Sequence, residues 1–369
     1  MTNRICFFPG TLSLGGIGKL FVNLIEEYAS RGIGVDVFLT KKEGEFLEQL
    51  PASVRVFEGG GRALNSMLLF IKYLNKEKPD AVISAREYLN IVNILCCALS
   101  FSKARAVVSL HTNQTAENAA GHARFKNNYH SSRLMVFAKL LYRLSPKIVA
   151  VSRGVADDFS QRMSVERKKI EVIYNPVYKP YSGECSAVDN DFNAFIKTGR
   201  KYIVGVGRLT EQKDFATLIR ALSMVRKEKD IALVILGEGA LRQQLEELVE
   251  ELGLADHVLM PGFVKDPLCY VSRASALVVS SEFEGFGNVI VESLGVGTPV
   301  ISTNCPSGPS EILEDGKYGA LVPVKKPEAM AKAILGTINF PPEPSILIDR
   351  AKEFAVPHIA DQYLSYIYS

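Results

Sequence analysis

The chain is 369 residues long, 47% hydrophobic and 22% charged, with a formal net charge of +3. That length exceeds what one hydrophobic core usually organises, so two domains are expected, and the composition is ordinary for a globular protein. No apolar run reaches the ~18–20 residues of a membrane span, and MTNRICFFPG at the start lacks the apolar stretch of a signal peptide. Cys6, Cys96, Cys97, Cys185, Cys269 and Cys305 show no CxxC spacing. Six thiols in a reducing compartment, the cytoplasm, are expected.

In chain order, strand-like runs RICFFP (4–9), VDVFLT (35–40), AVIS (81–84), AVVSLH (106–111) and KIVAVS (147–152) alternate with helical stretches. The helices include 17–32, 132–145 and the apolar IVNILCCAL at 91–99. A polar segment at 177–195 with Pro, Gly, Ser and Asp reads as a linker. The alternation then restarts: YIVGVG (202–207), a helix over 215–228, IALVILGEG (231–239), a helix over 240–253, ALVVSS (276–281) and PVISTN (299–304). Strand and helix at this pace predict parallel sheets with helices on both faces. The expectation is two Rossmann-like, doubly wound α/β domains with an interdomain cleft. Their ranges are 1–178 and 179–346, and a C-terminal helix follows over 347–369. Ligands in such sheets bind beyond the carboxyl ends of the strands.

The first such end, LSLGGIGKL (12–20), fails both the Walker spacing and the dinucleotide fingerprint: Ser13 and Leu20 stand where a phosphate loop needs Gly and Ser/Thr. Gly15, Gly16 and Gly18 still form a permissive turn onto a helix, where backbone N–H groups favour an anion. A tight turn with no ligand is the alternative. After the 202–207 strand, GRLTEQKD places Arg208 and Lys213 five apart, able to grip a diphosphate by fork and by point charge. Glu238 stands at the mouth of the next strand. SEFEGFGNVIVE (281–292) then sets Glu284 in a loop, Gly285 and Gly287 at a helix start, and Glu292 two turns into that helix on nearly the same face. Carboxylates accept two hydrogen bonds and suit vicinal hydroxyls. A sugar nucleotide fits this layout; a glycosidase acid/base pair and an ordinary charged loop before an amphipathic helix remain open.

These motifs together resemble the retaining glycosyltransferases of family 4, with the GT-B fold. The E-x7-E pair is Glu284…Glu292 in an E-G-F-G context; GRLTEQKD, LGEG and NPV (175–177) occupy the positions of further family motifs. The resemblance spans nearly the whole chain and is strongest over 172–325, and it implies that the helix over 347–369 crosses back to the first domain. It implies a hexosyltransferase that moves a hexose or N-acetylhexosamine from a UDP-sugar to a glycan acceptor, in polysaccharide or lipopolysaccharide assembly. By the same resemblance Glu292 binds the ribose, and Arg208 and Lys213 clamp the diphosphate. Glu284 meets the donor sugar hydroxyls, with Phe286, Gly287 and Asn288 beside it. Gly15 and Gly16 form the glycine loop near phosphate and acceptor. His111, in VVSLHTNQ, matches the family histidine beside the donor sugar. The loop CPSGPSEIL (305–313) departs from the commoner G-G-x-x-E, which leaves the sugar-ring selectivity open. No cofactor and no metal are expected, the two cations standing in for one.

Rival readings are a glycosidase using Glu284 and Glu292, and a nucleotide-sugar sensor without turnover. The formal charge is divided: +10 over 1–180 and −7 over 181–369. A basic half can face an anionic membrane, an anionic substrate or nucleic acid, or simply complement its partner domain. It lacks the aromatic–basic interleaving of a nucleic-acid module. GHARFKNNYHSSR (121–133) carries Arg124, Lys126 and Arg133 around Phe125 and Tyr129, which reads as a basic amphipathic helix with aromatic anchors. The expectation is a polyprenyl-linked acceptor at the inner face of the cytoplasmic membrane.

Overall fold

The computed structural model describes every residue except 1–3, 14, 62, 120–132, 145–146, 184–189 and 197–198. The chain divides into two compact units: one holds residues up to 177, less 116–122, together with 355–369; the other holds 116–122 and 178–354.

The first unit carries seven strands, all parallel: β1 (Arg4–Gly10), β2 (Gly34–Leu39), β3 (Arg55–Glu58), β4 (Ala81–Ala85), β5 (Arg105–Leu110), β6 (Lys147–Ala150) and β7 (Ile170–Val172), in the order β3-β2-β1-β4-β5-β6-β7. β1 and β4 are buried nearly end to end, as expected of strands covered on both faces. Successive side chains alternate faces, so Phe7 and Phe8 serve different cores. Phe7 meets α1 (Gly16–Ser30), its ring edge-on to Phe21 at 5.3 Å. Phe8 packs at 4.6 Å on Phe70 of α2 (Ala63–Glu77). Further helices are α3 (Glu87–Leu99), α4 (Gln114–Ala119), α5 (Arg133–Leu144) and α6 (Arg153–Met163). The basic stretch expected at 121–133 lies outside the described residues up to 132; Arg133 opens α5.

At the amino end of this sheet Asp36 is fully buried and accepts from Arg4 Nη1 at 2.9 Å, Arg55 Nε and Nη2 at 2.8 Å each, and Tyr73 Oη at 2.7 Å. A buried carboxylate needs such partners, and here they tie three strands and α2 together.

The second unit repeats the plan with six parallel strands: β8 (Tyr202–Val206), β9 (Ala232–Leu236), β10 (Val258–Gly262), β11 (Ala276–Val279), β12 (Val300–Thr303) and β13 (Ala320–Val322), ordered β10-β9-β8-β11-β12-β13. Around it lie α7 (Asn190–Ile196), α8 (Phe215–Val225), α9 (Arg242–Glu251), α10 (Leu268–Val271), α11 (Asn288–Gly295), α12 (Pro309–Ile312), α13 (Pro327–Asn339) and α14 (Pro344–Lys352). Two doubly wound parallel domains are therefore present, as the alternating pattern predicted.

Two expectations change. The single helix predicted over 347–369 is two: α14 stays with the second unit, and a separate helix, Val356–Tyr368, belongs to the first. The chain breaks over 353–355, with Ala355 in extended geometry, and Pro357, which has no N–H to donate, suits the first turn of the new helix. Ile359, Ala360, Tyr363 and Ile367 then complete the core that holds Phe7. Of the six expected thiols, Cys185 lies outside the described residues and five are described. Cys6, Cys96, Cys97 and Cys305 are free, whereas Cys269 is disulfide-bonded.

The glycines of LGEG have a structural explanation. A Cβ at Gly237 would stand 1.9 Å from the Gly207 carbonyl oxygen, and one at Gly239 2.3 Å from that of Leu209. The turn after β8 lies directly on the turn after β9, joined by Leu209 N–H to Glu238 O at 2.9 Å and Leu241 N–H to Leu209 O at 3.1 Å. Gly237→Ala should cost about 2–4 kcal/mol, overpacking added to a left-handed φ of +143°. A urea melt in which the variant keeps the wild-type midpoint would refute this backbone contact.

Candidate active site

Four strand ends of the second unit supply the site. Beyond β8, Arg208 is exposed, and its guanidinium has no partner among the described residues. A 3-10 turn, Glu211–Lys213, follows. Asp214 then caps α8: its carboxylate accepts from Thr217 N–H at 3.2 Å and Thr217 Oγ1 at 2.6 Å, and burial pushes its pKa up. The loop after β11 is stapled to this turn. Ser280 Oγ donates to Lys213 O at 2.7 Å, Gln212 Nε2 to Phe283 O at 3.0 Å, and Glu282 N–H to Gln212 O at 2.8 Å.

The staples bring Lys213 Nζ to 2.5 Å from Glu284 Oε1. The same oxygen accepts from Ser281 Oγ at 2.7 Å, and Ser281 O in turn accepts from Thr303 Oγ1 at 2.6 Å at the end of β12. Glu284 is only 7% exposed. The stem of Lys213 crosses Gly207, where a Cβ would stand 3.1 Å from Lys213 Cε. Cys305 is buried near this pair, and its thiol is pushed up to about 12, first by burial and then by the Glu284 charge. Ser281, Thr303 and Cys305 were missed in the sequence. The serine three residues before the E-x7-E motif was the one available signal.

Gly287, at φ +102°, caps α11. The helix begins at Asn288, so Glu292 lies one turn in, not two; it is half-buried and shares the face of Asn288. Phe286 is a packing residue: its ring is buried 5.6 Å from Phe354, and its carbonyl oxygen lies 2.0 Å from where a Cβ on Gly308 would be. Gly308 is therefore required in the departing loop CPSGPSEIL, at φ +88°. Glu238 is drawn elsewhere. Its carboxylate accepts from Arg242 Nη1 at 2.5 Å, and Arg242 also reaches Glu246 and Met260 O. Arg242 is one turn further on, at the helical i+4 spacing. A cavity of about 280 Å³ between α8 and α9, lined by Arg220, Leu245 and Glu251 among others, shares no residue with this constellation.

In the first unit, Gly15 and Gly16 sit where α1 begins, with no side-chain cap on the helix. Gly18 is a packing glycine: its Cβ would meet Ser13 O at 2.6 Å and the Phe46 ring at 3.0 Å. His111 follows β5, and its Nε2 lies 2.9 Å from Ser109 Oγ. Dense surroundings pull its pKa down to about 4, so the ring is neutral at neutral pH. Among the described residues no group of three His, Cys, Asp or Glu stands together as a metal site requires.

Within the second unit, a free guanidinium, a shared ammonium, a hydroxyl-bonded carboxylate and an uncapped helix start lie at the carboxyl ends of one sheet. Cations there can hold phosphate oxygens, and carboxylates can accept from sugar hydroxyls. Residues 14–178 match the model of Glycosyltransferase Family 4 and residues 188–354 that of Glycosyl transferases group 1, leaving only the ends and a short link unmatched. The chain belongs to these GT-B glycosyltransferase families.

One relative, the Campylobacter jejuni N-acetylgalactosamine-N,N'-diacetylbacillosaminyl-diphospho-undecaprenol 4-alpha-N-acetylgalactosaminyltransferase, is 36% identical over 57% of this chain and 55% of its own length. The match thus spans just over half of that relative. A second C. jejuni enzyme, the GalNAc-alpha-(1->4)-GalNAc-alpha-(1->3)-diNAcBac-PP-undecaprenol alpha-1,4-N-acetyl-D-galactosaminyltransferase, is 27% identical over 99% of this chain and 98% of its own. The solved structure of Anabaena HepE in complex with UDP is similar in fold, with a TM-score of 0.80 at 21% identity, covering 99% of both chains.

His111 gives a pH prediction. An unfolded histidine titrates near ~6.5, and the folded value is lower. The neutral form is therefore favoured on folding, and its stability contribution is lost as pH falls from about 6.5 towards 4. The His111→Asn variant should show a shallower loss of stability across that window. In an NMR titration the wild-type imidazole should not shift between pH 8 and 5; an inflection near 6.5 would contradict a desolvated ring.

Proposed function

We propose that the protein is a retaining glycosyltransferase that moves a hexose or N-acetylhexosamine from a UDP-sugar to a polyprenyl-diphosphate-linked glycan in surface-polysaccharide assembly. The observation that carries the reading is the Lys213–Glu284 pair beside the unpartnered Arg208. As the leaving diphosphate gains charge, Arg208 offers a two-pronged fork and Lys213 a point charge. Glu284 accepts from the donor sugar, and Glu292 from the ribose. The names of the two C. jejuni relatives support an undecaprenol-linked acceptor, and the HepE complex supports UDP. The reading includes a metal-independent reaction, the two cations acting on the leaving group, and no cofactor.

A glycosidase is less well supported. Glu284 accepts from an ammonium and a hydroxyl at the same oxygen, which suits an acceptor of hydrogen bonds more than a proton donor. A sensor without turnover would bind UDP-sugar and form no product.

The reading also takes the first unit to the cytoplasmic face of a membrane. No helix among the described residues is long and apolar enough to cross one. On α5, Val136 is 70% exposed, with Phe137 and Leu140 also exposed on the helix that carries Lys139 and Arg143. Such a surface suits an anionic bilayer. Co-sedimentation with phosphatidylglycerol vesicles at low salt should fall for Phe137→Ser/Leu140→Ser; equal binding by that variant would refute contact through α5.

The central test is a UDP-sugar panel. A true donor at a hundredfold excess over Kd should stabilise the protein by ~2.7 kcal/mol, transfer its sugar to an undecaprenyl-diphosphate-linked acceptor with retained anomeric configuration, and do so in EDTA. Hydrolysis without acceptor, an inverted product, or dependence on added magnesium would each overturn part of the reading. Arg208→Ala should lower kcat more than it raises KM. Glu292→Ala should weaken free UDP by ~1.5–3 kcal/mol, the range of a charged hydrogen bond; unchanged UDP affinity would remove Glu292 from the ribose. Lys213→Ala is less clean, because it also leaves Glu284 buried without its ammonium.

A further inference from the structure

Arg86 follows β4, the strand between β1 and β5. Its backbone adopts φ +92°, ψ 134°, a conformation in which a side chain is strained and glycine is at ease. The register fixes its neighbours. Phe8 pairs with Ser84 and Ala85 with Ser109, so Arg86 stands level with Gly10 on one side and one residue short of His111 on the other. Adjacent strands lie ~5 Å apart. Three strand ends therefore bring Gly10, Arg86 and His111 together. Tyr88 covers the first of them: its phenol oxygen stands 3.4 Å from where a Cβ on Gly10 would be. Arg86 and Tyr88 are both exposed, and the Arg86 guanidinium has no partner among the described residues.

The strained residue is held from below. Ser84 Oγ donates to Asn90 Oδ1 at 2.7 Å, and Asn90 Nδ2 to Ser109 O at 3.1 Å. Asn93 Nδ2 donates to Ser84 Oγ and Val82 O, each at 3.0 Å. Ser109 Oγ continues to His111. All four of these side chains, Ser84, Asn90, Asn93 and Ser109, are buried. The acid beside Arg86 is engaged elsewhere, since Glu87 accepts from Arg162 Nη2 at 2.6 Å. A buried polar network thus fixes the β4–α3 turn and leaves one cation uncompensated at its top. Strain of this kind persists where the surroundings over-determine it, and it clusters at ligand sites.

We propose that Arg86, with Tyr88 beside it, is an oxyanion subsite of the first unit that holds the diphosphate of the acceptor. The guanidinium fork matches two phosphate oxygens, and the phenol donates a further hydrogen bond. The assignment to the acceptor rests on the function proposed above. The anion chemistry itself is shared with the diphosphate of the donor, and the test separates the two.

The full chain is titrated calorimetrically with geranyl diphosphate and, separately, with UDP, and its melting temperature is recorded. Arg86→Gly should weaken geranyl diphosphate by about tenfold or more, leave UDP within about twofold, and not lower Tm, because glycine relieves the strained φ. Arg86→Lys, which keeps the charge and loses the fork, should fall between. Arg86→Gln serves the same comparison if the glycine variant does not fold. No binding of geranyl diphosphate by the wild type, or an Arg86→Gly affinity equal to wild type, overturns the subsite. An equal loss for UDP overturns its assignment to the acceptor. Arg86-dependent diphosphate binding without any sugar transfer would leave the subsite standing and overturn the proposed activity.

Discussion

Lys213 and Glu284 come from turns 71 residues apart, and their 2.5 Å contact organises the second unit's functional end. Three hydrogen bonds between the turns set the distance; the side chains then close it. Neither charge is stable there alone. A carboxylate 7% exposed needs a partner, and the ammonium and the Ser281 hydroxyl supply two donors to one oxygen. The arrangement leaves the other carboxylate oxygen of Glu284 without a hydrogen bond among the described residues and leaves the Arg208 guanidinium uncommitted. The function proposed here puts a polyanion and a polyol in one site, and that combination needs this kind of partial neutralisation. A fully paired cluster would have nothing to offer a ligand, and an unpaired one would destabilise the fold.

Much of the architecture was legible because parallel strands buried on both faces read as apolar runs. β1, β2, β4, β5, β8, β9, β11 and β12 all announce themselves in this way. The edge strands were harder. β3 is Arg-Val-Phe-Glu and β7 only three residues long, so neither carries enough pattern to stand out. The C-terminal break was visible in principle at Pro357 but is easily overrun by the apolar periodicity on either side. Spacing placed Arg208, Lys213, Glu284 and Glu292 at or just beyond strand ends of one sheet, and the structure has them there. It did not show that Arg242, one turn later, donates to the Glu238 carboxylate. Nor did it show that the glycines of that motif pack backbone against backbone.

The first unit shows the complementary case. Ser84, Asn90, Asn93 and Ser109 look unremarkable in sequence, scattered over two strands and a helix. Their meaning is three-dimensional: each buried polar atom is satisfied by another, and the set fixes a turn that sequence propensity would not choose for arginine. His111 belongs to the same chain of contacts through Ser109. The protein packed around this half-buried ring disfavours its charged form, so the histidine offers a hydrogen bond whose character does not change across the physiological pH range.

The helix Val356–Tyr368 has a consequence for biosynthesis. It completes the first unit's core, with Tyr28 Oη bonded to Ala360 O across 332 residues of sequence. Between residue 177 and that helix the ribosome must make the whole second unit, a delay of roughly 10–40 s at ~5–20 residues per second. Throughout that interval the apolar faces of α1 and β1 that await Ile359, Tyr363 and Ile367 are uncovered on the nascent chain. The order of synthesis and the order of completion are therefore reversed: the unit begun first is closed last, and a chaperone has its natural opening on the amino-terminal half.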